Sequence, residues 1–185
     1  WGGGWLAAIG FSDFAGSTLV HSTGGAAALA GIIILGPRFG RFDNKGNPKA
    51  IQPFAASSIP LVTIGVFVLW LGWFGFNGGS QLALGSFADA VAISSIFINT
   101  NLAACGGVLA AAVITRLMFG KTDVVQMLNG AIGGLVAITA EPLAPSPLAA
   151  ILIGAMGGVI VVFGTKLLFS FKLDDVVGAI PAHMF

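Results

Sequence analysis

The chain has 185 residues, of which 56% are hydrophobic and only 8% charged. Soluble domains carry about 25% charged residues, and eight basic plus seven acidic side chains cannot clothe a soluble surface of this size. This composition excludes an ordinary soluble enzyme, a disordered chain and a nucleic-acid binder, and a mean hydropathy of +0.98 makes lipid the expected solvent.

Covering a hydrocarbon core of about 30 Å takes about 20 apolar residues in a helix. Charge-free stretches of that kind recur along the chain, and the expected fold class is all-α: a polytopic transmembrane helix bundle forming a single domain over 1–185. The expected spans are 14–36, 59–78, 90–115, 124–140 and 147–165, with a sixth, 176–185, cut off by the chain end. Period-two alternation is absent, which argues against a membrane β-barrel. The chain opens on Trp1 and ends at Phe185 inside an apolar run, with no signal peptide legible, so it reads as a piece of a longer protein. The single Cys105 excludes an intrachain disulfide and a zinc cluster, and its apolar neighbours predict a small buried hydrophobe.

The 28 glycines do not read as loop. They pair within or at the ends of spans, as at Gly106-Gly107 and Gly157-Gly158. Gly130 with Gly134, and Gly154 with Gly158, make small-xxx-small spacings. In lipid such spacings let helix backbones approach closely, so a tightly packed bundle is expected.

Topology follows from Lys and Arg. Arg38, Arg41, Lys45 and Lys49 lie between the first two spans, Arg116 and Lys121 after the third, Lys166 and Lys172 after the fifth. The intervening connections carry none. All basic residues therefore fall on one side, which the positive-inside rule makes cytoplasmic: the connections 37–58, 116–123 and 166–175.

The chain has two histidines, both in apolar spans, where ionisable groups are costly and mark function. Asp13-Phe-Ala-Gly-Ser-Thr-Leu-Val-His21 and Asp175-Val-Val-Gly-Ala-Ile-Pro-Ala-His183 share Asp, two residues, Gly, four residues, His. Eight helical residues rise about 12 Å, so each His should approach the midplane from its own side of the membrane. Matching motifs on oppositely directed helices point to an inverted-repeat transporter with its site between the repeats. The alternative is two unrelated packing histidines. A neutral imidazole offers one donor and one acceptor, and an unperturbed pKa of about 6.5 lets it exchange protons. Such a pair suits a small solute that is itself weakly acidic or basic.

These motifs resemble the ammonium transporter family (Amt/Mep/Rh), its Amt branch in particular. The segment 13–21 is similar to the signature of the family's fifth helix, and Gly36-Pro-Arg-Phe-Gly-Arg-Phe42 to the segment after it. Gly72-Trp-Phe-Gly-Phe-Asn-Gly-Gly-Ser80 resembles the end of the sixth helix, and Asp174-Asp175 with His183 the start of the tenth. The resemblance implies an eleven-helix inverted-repeat fold assembled as a homotrimer, of which this chain holds helices five to nine and part of ten. It implies that His21 and His183 are twin pore histidines, that Trp1 and Ser80 form an external ammonium recruitment site, and that Phe76 is one ring of a phenyl gate. It further implies that Trp73 and Asn77 stand beside the pore and that Asp13 is a buried carboxylate needed for conduction. A helix-start Asp can equally be an N-cap. The family usually continues with Gly after the second His, where this chain has Met184, and Pro181 predicts a kink before His183.

The expected function is ammonium or ammonia transport, with methylammonium as an analogue. A charged ammonium is costly at the hydrocarbon centre, so deprotonation before the histidines is expected. The alternative is an ammonium sensor, an Amt domain coupled to a signalling module. A membrane enzyme is disfavoured, since no nucleophile motif or phosphate loop is present. No cofactor is expected, and two His without a third ligand make a poor metal site. The basic segment Arg38 to Lys49 could meet anionic lipid or, by the resemblance, a PII-type regulatory protein. The localisation implied is a multi-pass cell membrane protein.

Overall fold

The computed structural model describes residues 3–42 and 54–185. Trp1, Lys45 and Lys49 lie outside the described residues. A short helix α1 (Trp5–Ala8) precedes a π-helical turn (Ser17–Ser22) that leads into α2 (Thr23–Leu35). Then follow α3 (Ile59–Gly79), α4 (Phe87–Phe119), α5 (Val124–Thr139), α6 (Pro147–Ser170) and α7 (Ala179–His183). The fold is an all-helical membrane bundle. Four stretches, Ser17–Leu35, α3, α4 and α6, are long and apolar enough to cross a bilayer.

Local chemistry sets the helix starts. The Ser58 hydroxyl accepts from the Leu61 N–H, with Pro60 in the first turn of α3. Ser86 and Asp89 form a reciprocal capping box on α4. Asp123 accepts from the Val125 and Gln126 N–H groups, and Ser146 from Ala149, ahead of α5 and α6. Gly120 ends α4 in the left-handed conformation at φ 72°.

Some boundaries differ from the hydropathy reading. Phe14 and Ala15 are not helical; their N–H groups donate to the Ala140 and Thr139 carbonyls at the end of α5. α4 continues through Arg116 to Phe119, and α6 through Lys166 to Ser170, so these two basic residues belong to helix ends rather than to connections. A helix of 33 residues rises about 50 Å, more than the membrane requires, and long basic side chains reach the interface along it. Pro181 does not kink a helix: it sits in the first turn of α7, where a missing N–H leaves no intrahelical bond unmade. Cys105 is only half-buried, not the core residue that its neighbours suggest.

The core is the stack α4–α5–α6, and glycine makes it possible. A Cβ on Gly154 would land on the Ala103 carbonyl, one on Gly158 on the Gly107 carbonyl, and one on Gly107 on the Gly130 carbonyl. Backbones therefore touch directly, as the small-residue spacing predicts. α5 is buried almost throughout from Gly130 to Thr139. α3 packs Val66 and Trp73 against it. The outward faces stay apolar, with Phe67, Leu71, Leu109 and Phe163 exposed.

One ionic cluster ties the ends of α2 and α6. Arg38 donates to Asp174 from its backbone N–H, Nε and Nη2 at 3.0, 2.7 and 2.9 Å. Arg41 Nε lies 3.2 Å from the same carboxylate. The hydrogen bonds from Arg38 hold the Asp174 carboxyl below the usual carboxylate range. The Arg41 guanidinium stacks on the Phe54 and Phe169 rings at 5.1 and 4.7 Å.

Candidate functional site

The two helices that carry the histidines start in the same way. The Asp13 carboxylate accepts from the N–H groups of Gly16, Ser17, Thr18 and Leu19 at 2.8–3.2 Å. The Asp175 carboxylate accepts from Val177, Gly178, Ala179 and Ile180 at 2.8–3.3 Å. Each collects donors that have no intrahelical partner. Gly16 and Gly178 turn the chain with φ of 102° and 78°, a conformation that only glycine adopts readily. The helix-start role of Asp13 is thus the one its geometry displays.

Five residues beyond each glycine, and eight beyond each aspartate, the chain brings His21 and His183 together. Their Nδ1 atoms are 3.1 Å apart. One imidazole must donate through Nδ1–H and the other accept, so the two hold opposite tautomers. The pair then leaves one free Nε2 lone pair and one free Nε2–H. His21 Nε2 is buried without a hydrogen-bond partner among the described residues. An open pocket of about 220 Å³ flanks the pair, lined by Val20, His21, Gly24, Gly25, Ala179 and His183. A small solute with one donor and one acceptor fits that chemistry. Among the described residues no group of three or more His, Cys, Asp or Glu could hold a metal.

Aromatic rings fix the first histidine. Trp73 stacks on His21 at 4.8 Å between centroids and 14° between planes. Phe76 tilts onto the same ring at 5.5 Å. The Trp73 indole N–H donates to Thr139 Oγ1 at 2.8 Å. Thr139 Oγ1 also lies 3.2 Å from Asn77 Oδ1, and Asn77 Nδ2 donates to Thr100 Oγ1 at 3.0 Å. Asn77, Thr100 and Thr139 are fully buried, so this chain from α3 to α4 and α5 satisfies groups that would otherwise be costly in the interior. Ser80 stands at the end of α3 with its hydroxyl donating back to the Phe76 carbonyl at 2.8 Å. Its oxygen lone pairs remain as acceptors.

The structure thus gathers His21, His183, Trp73 and Phe76 at one place, with Asn77 behind Trp73 and Asp13 at the helix start. Ser80 lies one turn beyond Phe76. Thr100 and Thr139 went unnoticed in the sequence reading. Their signal was an uncharged polar residue in a largely apolar span, Thr100 within Asn99-Thr100-Asn101 and Thr139 at the end of α5.

A sequence model of the Ammonium Transporter Family matches residues 1–185. The ammonium transporter Amt2 of Archaeoglobus fulgidus is 46% identical over the whole chain, which covers 40% of that protein. A putative ammonium transporter of Synechocystis is 48% identical over 99% of the chain and 41% of its own length. Among solved structures, one described as a sensor Amt protein matches with a TM-score of 0.90 and 37% identity, over 98% of this chain and 43% of that one. Candida albicans Mep2 matches with a TM-score of 0.85 and 32% identity, over 99% of this chain and 38% of that one. The chain spans about two fifths of the length of the relatives it matches. With the paired motifs, the helical bundle and full-length agreement with its sequence model, this chain belongs to the Ammonium Transporter Family.

Proposed function

We propose that this chain supplies part of the conducting path of an ammonium transporter, with His21 and His183 as its central polar site. The observation that carries this reading is the 3.1 Å contact between the two imidazoles, each eight residues beyond an aspartate that accepts from the backbone at a helix start. In this reading Trp1 and Ser80 gather external ammonium, the Trp by its π-face and the Ser by its oxygen. Phe76, against His21, is the ring that controls entry to the pair. Ammonium gives up a proton to water at the outer mouth, or at the pair to its free Nε2 lone pair, because charge is costly at the membrane centre. The uncharged product then meets one acceptor and one donor, matching ammonia. Trp73 and Asn77 hold His21 in place, and Asp13 fixes the start of its helix.

The protein acts as a transporter rather than an enzyme, in a homotrimer embedded in the cell membrane. The connections 37–58, 116–123 and 166–175 face the cytoplasm, where a PII-type protein is a candidate regulator. In the full-length protein, His21→Ala and His183→Ala should each abolish methylammonium uptake or change the accompanying current. Unchanged uptake and current in both would remove the site assignment.

A second reading, ammonium sensing, is favoured by the structural match to a protein described as a sensor Amt. Full-length protein in vesicles separates the two: a transporter accumulates labelled methylammonium, whereas a sensor binds it without flux.

A further inference from the structure

α2 and α7 come close together one turn past the histidine contact. Gly25 follows His21 by four residues, so the two share a helix face, and Gly25 is buried. A Cβ on Gly25 would sit 2.6 Å from Met184 Cβ, 3.0 Å from its backbone N and 3.1 Å from its Cα. These atoms are backbone or fixed to it, so no rotamer change relieves the overlap. Met184 follows His183 directly in the chain. On its far side α7 is held as well: Pro181 and Phe185 close on Gly164 of α6, where an added Cβ would meet them at 3.0 and 2.6 Å. α7 therefore lies between two glycines, Gly25 of α2 and Gly164 of α6.

We propose that Gly25 is a positioning residue for the His21–His183 pair, its missing side chain setting the distance between α2 and α7 and so the contact between the imidazoles. The inference rests on the reading of that pair as the transport site. A methyl group at Gly25 must push the two helices apart, and His21 and His183 separate with them. Stacking of His21 on Trp73 limits how far the ring can follow. Met184→Gly removes the Cβ–Cβ overlap but leaves the two backbone contacts tight, so it relieves the strain in part.

The test uses the full-length protein, with methylammonium as the probe and membrane abundance measured for every variant. Gly25→Ala should lower uptake per molecule by about tenfold or more, since displacements near 1 Å at a reacting centre have effects of that order. It should also shift the pH profile of uptake, which loss of packing alone does not do. Adding Met184→Gly should recover part of the rate and return the profile towards that of Met184→Gly alone. Wild-type uptake and profile in Gly25→Ala, or a loss that Met184→Gly leaves untouched, overturns the inference. Should Gly25→Ala fail to reach the membrane, the double variant is compared with Met184→Gly: a shifted profile supports the inference and an identical one overturns it. His21→Ala and His183→Ala run in parallel separate the two levels. Full transport in both His21→Ala and His183→Ala takes down the site reading and this inference together, whereas inactive histidine variants beside a normal Gly25→Ala overturn this inference alone.

Discussion

Asp13 and Asp175 are structural equivalents: each carboxylate gathers four successive backbone N–H groups at the start of a helix that ends its first turns with a histidine. The first set of donors spans residues 16–19 and the second 177–180, an offset of one position relative to the two aspartates. That offset coincides with the π-helical turn at Ser17–Ser22, where the His21 N–H reaches back to the Gly16 carbonyl. The wider turn re-aims the side chains that follow it, and His21 meets His183 despite the unequal starts.

The carboxylates act as acceptors at these starts, so removing them should matter more than removing their charge. Asp13→Ala and Asp175→Ala should each lower stability by about 1–2 kcal/mol, the range for a lost cap. Asp13→Asn should retain part of that, because an amide oxygen still accepts. Thermal unfolding in detergent reads the difference. Equal losses for Asn and Ala at position 13 would show that charge, not acceptance, is the feature that counts.

The Trp73 indole couples the histidine to the buried polar chain. Trp73→Phe keeps a ring against His21 but removes the donor to Thr139. Thr139→Val removes the partner and strands both the indole N–H and the Asn77 amide oxygen. An unsatisfied buried group costs about 1–3 kcal/mol, so Thr139→Val should destabilise more than Trp73→Phe. A double variant should cost less than the sum of the two, because the stranded indole is then absent. Strict additivity in thermal unfolding would count against this coupling.

Much of the site was legible because its residues are chemical exceptions. His21 and His183 are the chain's two histidines, both in apolar spans, and their shared Asp–Gly–His spacing gave the inverted pair. Helix ends were less legible, because hydropathy registers what lipid tolerates and not where hydrogen bonding stops. Arg116 and Lys166 remain helical although charge marks them as outside the apolar stretch. Thr100 and Thr139 escaped notice since threonine is unremarkable in apolar helices, and only three-dimensional packing brings them to Asn77. Gly25 was equally silent, as one of many glycines whose neighbours come from a distant part of the chain.

The glycine contacts of the core predict a steep penalty at selected positions. Gly154→Ala would force a methyl group into the Ala103 carbonyl, with backbone on both sides. Helix propensity favours Ala over Gly by about 1 kcal/mol, yet overpacking costs about 1–3 kcal/mol or more when nothing can move aside. Net destabilisation is expected at Gly154, with loss of folded protein in the membrane. A Gly154→Ala variant as stable as the parent would contradict the direct backbone contact between α4 and α6.

The Arg38–Asp174 pair gives a pH dependence of known sign. Hydrogen bonds from Arg38 hold the Asp174 carboxyl below its ordinary value, and the pair in turn raises Arg38. A carboxyl whose folded pKa is depressed contributes stability above its unfolded pKa, about 3.9, and loses it as pH falls through the lower folded value. Asp174 is only 4% exposed, so Asp174→Asn leaves Arg38 and Arg41 facing a neutral amide in a confined place, at a cost of about 1–3 kcal/mol near neutral pH. Below about pH 4 the unfolded chain takes up a proton that folded Asp174 still resists, so the parent loses this stability progressively and the gap in unfolding temperature between parent and variant should begin to narrow. A gap that stays constant down to about pH 3 would show that the carboxylate charge contributes nothing to holding the segment after α2 against the segment that follows α6.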